Sequence, residues 1–215
     1  MAEGTLSHVI KTGAVAVFRA GDSDQLLRIT EALQKGGVNS LEITMTTPGA
    51  LERIRETQQR FSPDVVVGAG SVLDPETAHA AAAQGAAFVV SPCLNLAMID
   101  QCHYDGVVAI PGTLTPTEMW TAWEAGADLV KVFPARGGGP RYIKDVLAPL
   151  PQLQLLPTGG VTLENAADFI RAGAVAVGVG SDLVDPHLVA NEDFESLTDR
   201  ASELLNTINE ARAEN

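Results

Sequence analysis

The 215-residue sequence contains little cysteine, few aromatic residues and only four lysines. Two cysteines, Cys93 and Cys102, are too few for a disulfide framework, so we expect reduced thiols and a cytoplasmic location. No apolar run reaches the roughly 18–20 residues of a membrane helix. Residues 1–8 also lack the basic and apolar regions of a signal peptide. We therefore expect neither a membrane protein nor a secreted disulfide-rich one.

Positive charge is also scarce, because 14 basic residues stand against 27 acidic ones and give a formal net charge of −13. The basic residues are not clustered, which argues against nucleic acid or an anionic membrane as a partner. We interpret the acidity as a solubilising surface, with adaptation to high salt as the alternative. The length allows one large domain or two small ones, with a sizeable core in either case.

Short apolar segments alternate with longer amphipathic ones along the chain. The short segments are rich in Val and Ile and apolar on both faces, which is typical of buried parallel strands. The predicted strands are residues 14–18, 40–44, 65–68, 87–90, 107–110, 129–133, 154–156 and 175–179. The predicted helices between them include residues 22–35, 48–60, 75–84, 116–125 and 163–172. We expect a further short helix near residues 5–12 and a polar helical tail from residue 191.

Recurrent signals mark the ends of these helices. Predicted N-caps, whose side chains accept from free backbone N–H groups, are Asp74, Thr115 and Thr162. Glycines suited to the left-handed position that ends a helix are Gly36, Gly85, Gly126 and Gly173. These glycines recur about every two strand–helix units, which indicates eight alternating units in the chain.

Eight such units predict an α/β fold, namely a (β/α)8 TIM barrel with a short N-terminal helix, forming a single domain over residues 1–215. The alternative is a doubly wound open sheet, which normally carries a glycine-rich fingerprint after its first strand. Residues 19–22, Arg-Ala-Gly-Asp, do not match that fingerprint.

In a barrel of this kind the functional site lies at the carboxyl ends of the strands. That rule selects candidate residues at the predicted strand ends: Arg19, Glu42, Thr44, Thr46, Ser71, Pro92, Lys131, Phe133, Thr158, Gly159, Gly160, Gly180 and Ser181. The four histidines show no metal-ligand spacing, and we expect no metal and no cofactor.

Lys131 and Glu42 are the most informative of these residues, because each interrupts an apolar strand. An ammonium group is costly to bury without partners, and burial disfavours its charged form. A neutral amine is what attack on a carbonyl carbon and Schiff-base formation require. A carboxylate beside it is a reasonable general acid and base. The alternative is a buried ion pair between the two residues that performs no chemistry.

Two glycine turns follow the last two predicted strands. Residues 158–161, Thr-Gly-Gly-Val, and residues 178–181, Gly-Val-Gly-Ser, leave backbone N–H groups accessible where this fold usually binds phosphate. Tight turns without a ligand are the alternative. Arg136 or Arg141, on either side of three consecutive glycines, could steer a phosphate toward these turns.

Taken in order, these motifs resemble the 2-keto-3-deoxy-6-phosphogluconate (KDPG) aldolases, a family that includes 4-hydroxy-2-oxoglutarate aldolases. The specific motifs are residues 129–135, Leu-Val-Lys-Val-Phe-Pro-Ala, and residues 156–161, Leu-Pro-Thr-Gly-Gly-Val. Supporting motifs are residues 41–44, Leu-Glu-Ile-Thr, residues 67–73, Val-Gly-Ala-Gly-Ser-Val-Leu, residues 90–92, Val-Ser-Pro, and residues 110–112, Ile-Pro-Gly. The resemblance spans about residues 10–184.

The resemblance implies a metal-independent class I aldolase that cleaves a phosphorylated keto acid to pyruvate and glyceraldehyde 3-phosphate, commonly as a homotrimer. Lys131 is then the Schiff-base lysine and Glu42 the residue that moves protons. Ser71 corresponds to a hydroxyl that touches the pyruvate carboxylate, and Pro92 and Phe133 to walls of the site. The phosphate cradle corresponds to Gly159, Gly160, Gly180 and Ser181.

One residue departs from the family pattern. Many relatives carry an arginine four residues after the glutamate, where it binds the substrate carboxylate, and this sequence has Thr46 there. A hydroxyl is a weaker carboxylate partner than a bidentate guanidinium. Arg19, at the end of the first predicted strand, could take that role. The substrate alternatives are the galactonate epimer and 4-hydroxy-2-oxoglutarate, and a non-catalytic phosphosugar-binding barrel is the alternative from another class.

Overall fold

The computed structural model describes residues 2–19 and 21–214, so Met1, Ala20 and Asn215 of the predicted domain lie outside the described residues. The helices are α1 (Ala2–Thr12), α2 (Ser23–Lys35), α3 (Ala50–Phe61), α4 (Pro75–Ala83), α5 (Leu96–Asp105), α6 (Pro116–Glu124), α7 (Gly139–Leu147), α8 (Ala166–Arg171), α9 (Pro186–Ala190) and α10 (Phe194–Ala213). The strands are β1 (Ala14–Phe18), β2 (Ser40–Thr44), β3 (Val66–Gly70), β4 (Phe88–Val90), β5 (Val108–Ile110), β6 (Gly112–Thr113), β7 (Val130–Val132), β8 (Leu155–Pro157) and β9 (Val177–Val179).

The strands form a curled, parallel arrangement that defines an α/β fold. Six strands pair in the order β5-β4-β3-β2-β1-β9, three pair in the order β6-β7-β8, and every pairing is parallel. Pro111 separates β5, which was predicted, from the two-residue β6, which was not, because proline has no N–H to donate to a ladder. An isolated parallel bridge joins Thr158, after β8, to Gly178 in β9.

Alternation along the strands creates two apolar layers. Leu41 and Ile43 of β2 pack into the cluster shared with the helices. The opposite strand face carries a second cluster that includes Val15, Phe88 and Leu156. The predicted N-terminal helix is present as α1, and it contributes Val9 to this second cluster, directly before β1.

Several element boundaries differ from the predicted ones for local reasons. The helix predicted over residues 163–172 starts at Ala166, after a turn in which Thr162 Oγ1 accepts from Asn165 N and Asn165 Oδ1 accepts from Thr162 N. The left-handed glycine after α2 is Gly37, with φ of +89°, and not Gly36. Asp74 and Thr115 cap α4 and α6 as predicted. Within the described ranges, no helix has both the length and the apolar character needed to cross a membrane.

Candidate active site

The centre of the candidate site is a buried pair, Lys131 and Glu42. Lys131 is the middle residue of β7, and its neighbours Val130 and Val132 pack on the helix side, so the lysine takes the opposite face. The same alternation around Glu42 in β2 turns its carboxylate to that face. Lys131 is 5% exposed and Glu42 is 2% exposed, and Lys131 Nζ lies 3.8 Å from Glu42 Oε1. A buried amine therefore faces a buried carboxylate.

The end of β3 provides the space for this carboxylate. Gly70 pairs with Thr44 of β2, and a β-carbon at residue 70 would overlap the Glu42 side chain from Cγ to Oε1. The next residue, Ser71, has a left-handed φ of +59°, which is uncommon for a residue other than glycine. Such strained positions concentrate at functional sites.

A chain of hydroxyl groups leads from the end of β2 to Arg19. Thr44 Oγ1 lies 2.9 Å from Thr46 Oγ1, and Thr46 Oγ1 accepts a 2.8 Å hydrogen bond from Arg19 Nε. Thr44 is buried, whereas Thr46 and Arg19 are exposed. The sequence related Thr46 and Arg19 only as alternative partners for the substrate carboxylate. In the structure the two side chains are hydrogen-bonded to each other.

A cavity of about 580 Å³ is connected to the amine–carboxylate pair through Phe133, and neither Lys131 nor Glu42 is among the described residues that line it. It is lined by six of the predicted residues: Phe133, Thr158, Gly159, Gly160, Gly180 and Ser181. The Phe133 ring connects the two places, because its centroid is 5.2 Å from Lys131 Nζ and the ring also packs against Gly159.

The glycine turn after β8 has the form of an anion cradle. Gly159 and Gly160 have φ values of +82° and +96°, which glycine adopts without strain. Their carbonyl oxygens accept from Arg136 N and Asn165 Nδ2, whereas their N–H groups have no acceptor among the residues that the structure describes. Thr158 Oγ1 is buried and likewise lacks a hydrogen-bond partner in that part of the chain.

Ser71 and Pro92 lie apart from the cavity wall, at the ends of the neighbouring strands β3 and β4. Neither belongs to the described residues that line the cavity. Pro92 packs closely on Gly112, where a β-carbon would overlap its backbone.

The cavity also includes three lining residues that were not predicted as site residues: Val17, Thr162 and Asp182. Asp182 Oδ2 accepts from the backbone N–H of Leu163 at 2.7 Å. Its place directly after the second glycine turn is the signal that could have identified it. A second cavity of about 300 Å³, lined by Arg19, shares Val17 and Ser181 with the first.

The two thiols differ in environment. Burial raises the pKa of the Cys102 thiol to about 12, with the Asp105 and Asp128 carboxylates adding to the shift, so this thiol is chemically inert. Cys93 is exposed, and its sulfur lies 3.7 Å from Ser91 Oγ. In the described part of the chain, no three His, Cys, Asp or Glu side chains are grouped to hold a metal ion.

Fold and site together define a class: a parallel α/β protein with a buried amine–carboxylate pair and a glycine-lined cavity next to it. Comparison with known proteins identifies the family within this class. Residues 6–200 match the family model for KDPG and KHG aldolase. The chain belongs to the KDPG and KHG aldolase family.

Two relatives align with almost the whole chain. It is 36% identical over 195 residues to the 2-dehydro-3-deoxy-phosphogluconate aldolase of Treponema pallidum (strain Nichols), covering 90% of this chain and 91% of the relative. It is 33% identical over 202 residues to the 2-dehydro-3-deoxy-6-phosphogalactonate aldolase of Escherichia coli (strain K12), covering 94% and 97%.

A solved structure with the same fold contains a covalent reaction intermediate. The crystal structure of a KDPG aldolase from Legionella pneumophila holds pyruvate, captured at low pH as a covalent carbinolamine intermediate. It superposes with a TM-score of 0.86 at 27% identity, over 93% of this chain and 97% of that one.

Proposed function

We propose that this protein is a class I, Schiff-base aldolase that cleaves 2-keto-3-deoxy-6-phosphogluconate to pyruvate and glyceraldehyde 3-phosphate. The observation that carries the proposal is the buried Lys131 amine, 3.8 Å from the Glu42 carboxylate, beside a glycine-lined cavity. The carbinolamine in the Legionella pneumophila relative supports the same covalent chemistry.

In the proposed mechanism, neutral Lys131 Nζ attacks the C2 ketone and forms a carbinolamine. Glu42 donates a proton to the carbinolamine hydroxyl, which leaves as water, and the protonated imine and the Glu42 carboxylate remain. Glu42, acting through a water molecule, removes the proton from the C4 hydroxyl, and the C3–C4 bond breaks. Its electron pair moves into the imine to form an enamine, and glyceraldehyde 3-phosphate leaves. Protonation of the enamine at C3 and hydrolysis of the imine release pyruvate and restore the amine.

The remaining residues bind the two charged ends of the substrate. Arg19, held at Nε by Thr46, offers its other guanidinium nitrogens to the carboxylate together with the Ser71 hydroxyl. Phe133 and Pro92 form apolar walls near the amine. The N–H groups of Gly159, Gly160 and Gly180, with the Ser181 hydroxyl, bind the phosphate. Thr158, whose buried hydroxyl is turned toward Gly178, completes the wall of the cavity.

We also propose that both sheets close into one (β/α)8 barrel and that residues 1–215 form a single domain. Two observations support closure: the bridge between Thr158 and Gly178, and the short gap at Pro111 between β5 and β6. Homotrimeric assembly and a cytoplasmic location stay predictions. Light scattering after size exclusion tests the first.

A second substrate is favoured by a specific observation. The Escherichia coli (strain K12) relative that covers 94% of this chain is named for the galactonate epimer. Unphosphorylated 4-hydroxy-2-oxoglutarate is the other alternative, and non-catalytic phosphosugar binding is the alternative from a different class.

Rates of pyruvate release from the two phosphorylated epimers and from 4-hydroxy-2-oxoglutarate test the proposal. We expect the highest kcat/KM with the gluconate compound and the same rates in EDTA. A higher value with the galactonate compound would reassign the substrate. Metal-dependent activity would contradict the class I mechanism, and phosphate-dependent thermal stabilisation without turnover would favour the binding protein.

A further inference from the structure

Arg136 is held against the proposed phosphate cradle by its own backbone. It is the central residue of the 3₁₀ turn Ala135–Gly137, which follows β7 and Phe133. Ala135 N donates to Thr158 O and Arg136 N donates to Gly159 O, both at 2.9 Å. These two bonds fix the turn to the cradle loop.

Gly160 makes this approach possible. A β-carbon at residue 160 would lie 3.1 Å from Arg136 Cα and 3.3 Å from Arg136 N, and it would overlap Arg136 Cβ. The arginine backbone therefore packs directly on the cradle, and its side chain starts at the cavity wall.

The positive charge of Arg136 is also available to a ligand. Within the described residues, its guanidinium takes part in no ion pair and no hydrogen bond, and it is the only basic side chain that lines this cavity. Arg141, the other candidate from the sequence, is 92% exposed and lies 3.8 Å from Asp145. The structure thus separates two arginines that the sequence left equivalent.

Binding of a phosphate in this cavity requires such a cation. Its other polar groups are neutral except for Asp182, and the whole chain carries a formal charge of −13. The protein as a whole therefore does not attract a dianionic phosphate over a long range. The attraction must come from donors close to the phosphate. Guanidinium groups bind phosphate oxygens through two parallel hydrogen bonds, which are stronger than bonds between neutral groups.

We propose that Arg136 is a specificity-determining residue that binds the substrate phosphate and sets the preference for phosphorylated over unphosphorylated substrates. This inference rests on the proposed aldolase function. It adds a residue beyond the glycine and serine groups of the cradle, and it identifies the charge that selects the substrate class.

The test compares Arg136→Gln with the matched control Arg141→Gln. The readout is the ratio of kcat/KM for 2-keto-3-deoxy-6-phosphogluconate to that for 4-hydroxy-2-oxoglutarate. We expect Arg136→Gln to lower this ratio about 10- to 100-fold, the range for a hydrogen bond to a charged group, and Arg141→Gln to leave it unchanged. Arg136→Lys, which keeps the charge but loses the fork, should fall between. A ratio that is the same in all the variants would overturn the proposal.

Binding of inorganic phosphate gives a readout that does not need turnover. Phosphate should raise the Tm of the wild type and of Arg141→Gln, and raise that of Arg136→Gln much less. Equal shifts in all three proteins would overturn the role of Arg136. Covalent trapping of pyruvate reports on the aldolase function separately, since pyruvate carries no phosphate.

Discussion

Gly70 leaves the volume that the Glu42 carboxylate occupies. The two residues lie on adjacent parallel strands, β3 and β2, and a β-carbon at residue 70 would overlap the glutamate side chain. The position of the proposed acid–base group thus depends on the absence of a side chain on the neighbouring strand.

Replacing this glycine should therefore disable the site. We expect Gly70→Ala to displace Glu42 and lower kcat by about 10²-fold, the effect of a misplacement of about 1 Å. Steady-state kinetics measures the loss. Gly137→Ala is the control, because a β-carbon there meets nothing within 4 Å. Equal kcat values for both variants would contradict this role of Gly70.

The proposed chemical role of Glu42 depends on its carboxylate and not on the size of its side chain. Glu42→Gln keeps the size of the side chain but removes the carboxylate. We expect turnover to fall by about 10²–10⁴-fold, the usual contribution of a general acid or base. Near-normal turnover would reduce Glu42 to a structural partner of Lys131.

The hydrogen bond between Thr46 and Arg19 predicts a substrate-binding effect. Thr46→Val removes the acceptor for Arg19 Nε, so the guanidinium is no longer oriented. We expect KM to rise about 2- to 10-fold, as for the net loss of one hydrogen bond, while kcat changes little. Thr46→Ser, which keeps the hydroxyl, should restore KM. If valine and serine have the same KM, Thr46 does not position Arg19.

The capping box of α6 predicts a pH-dependent contribution to stability. The Thr115 backbone N–H, followed by the Leu114 N–H and the Thr115 hydroxyl, donates to Glu118 and lowers the pKa of this carboxyl. A lowered pKa in the folded state means that the ionised group stabilises the fold above the unfolded value of about 4.3. This stabilisation is lost as the pH falls through the folded value.

Denaturant unfolding of wild type and Glu118→Gln measures this contribution. We expect the wild type to be more stable at pH 7 and the difference to shrink as the pH falls below about 4. Glu124→Gln, which removes a carboxylate from the last turn of the same helix, is the matched control. A difference that does not vary with pH would contradict the carboxylate's role.

The bounds of the first two strands were predicted best. The predicted bounds of β1 and β2 match the structure: β1 is an apolar run, and β2 alternates Leu41 and Ile43 with polar residues. The predicted strand over residues 107–110 corresponds to β5, whereas β6 after Pro111 was not predicted, because two residues are too few to show a periodic pattern. The three consecutive glycines, residues 137–139, end a 3₁₀ turn and start α7, where Pro140 favours the first helical turn.

The candidate site was predicted as a set of strand ends, without its internal contacts. Alternation sufficed to turn Lys131 and Glu42 to the same face. The hydrogen bond from Arg19 to Thr46 depends on side-chain rotamers 27 residues apart, which no local pattern encodes. The separation of Arg136 from Arg141 likewise depends on how the turn after β7 packs on the loop after β8.

The central claim is that Lys131 forms a Schiff base with the keto acid. The direct measurement is reduction with borohydride in the presence of pyruvate, followed by intact mass and peptide mapping. We expect a single pyruvate adduct, located on Lys131, and none in Lys131→Ala. An adduct on Lys11, Lys35 or Lys144, or one that survives in Lys131→Ala, would contradict the account.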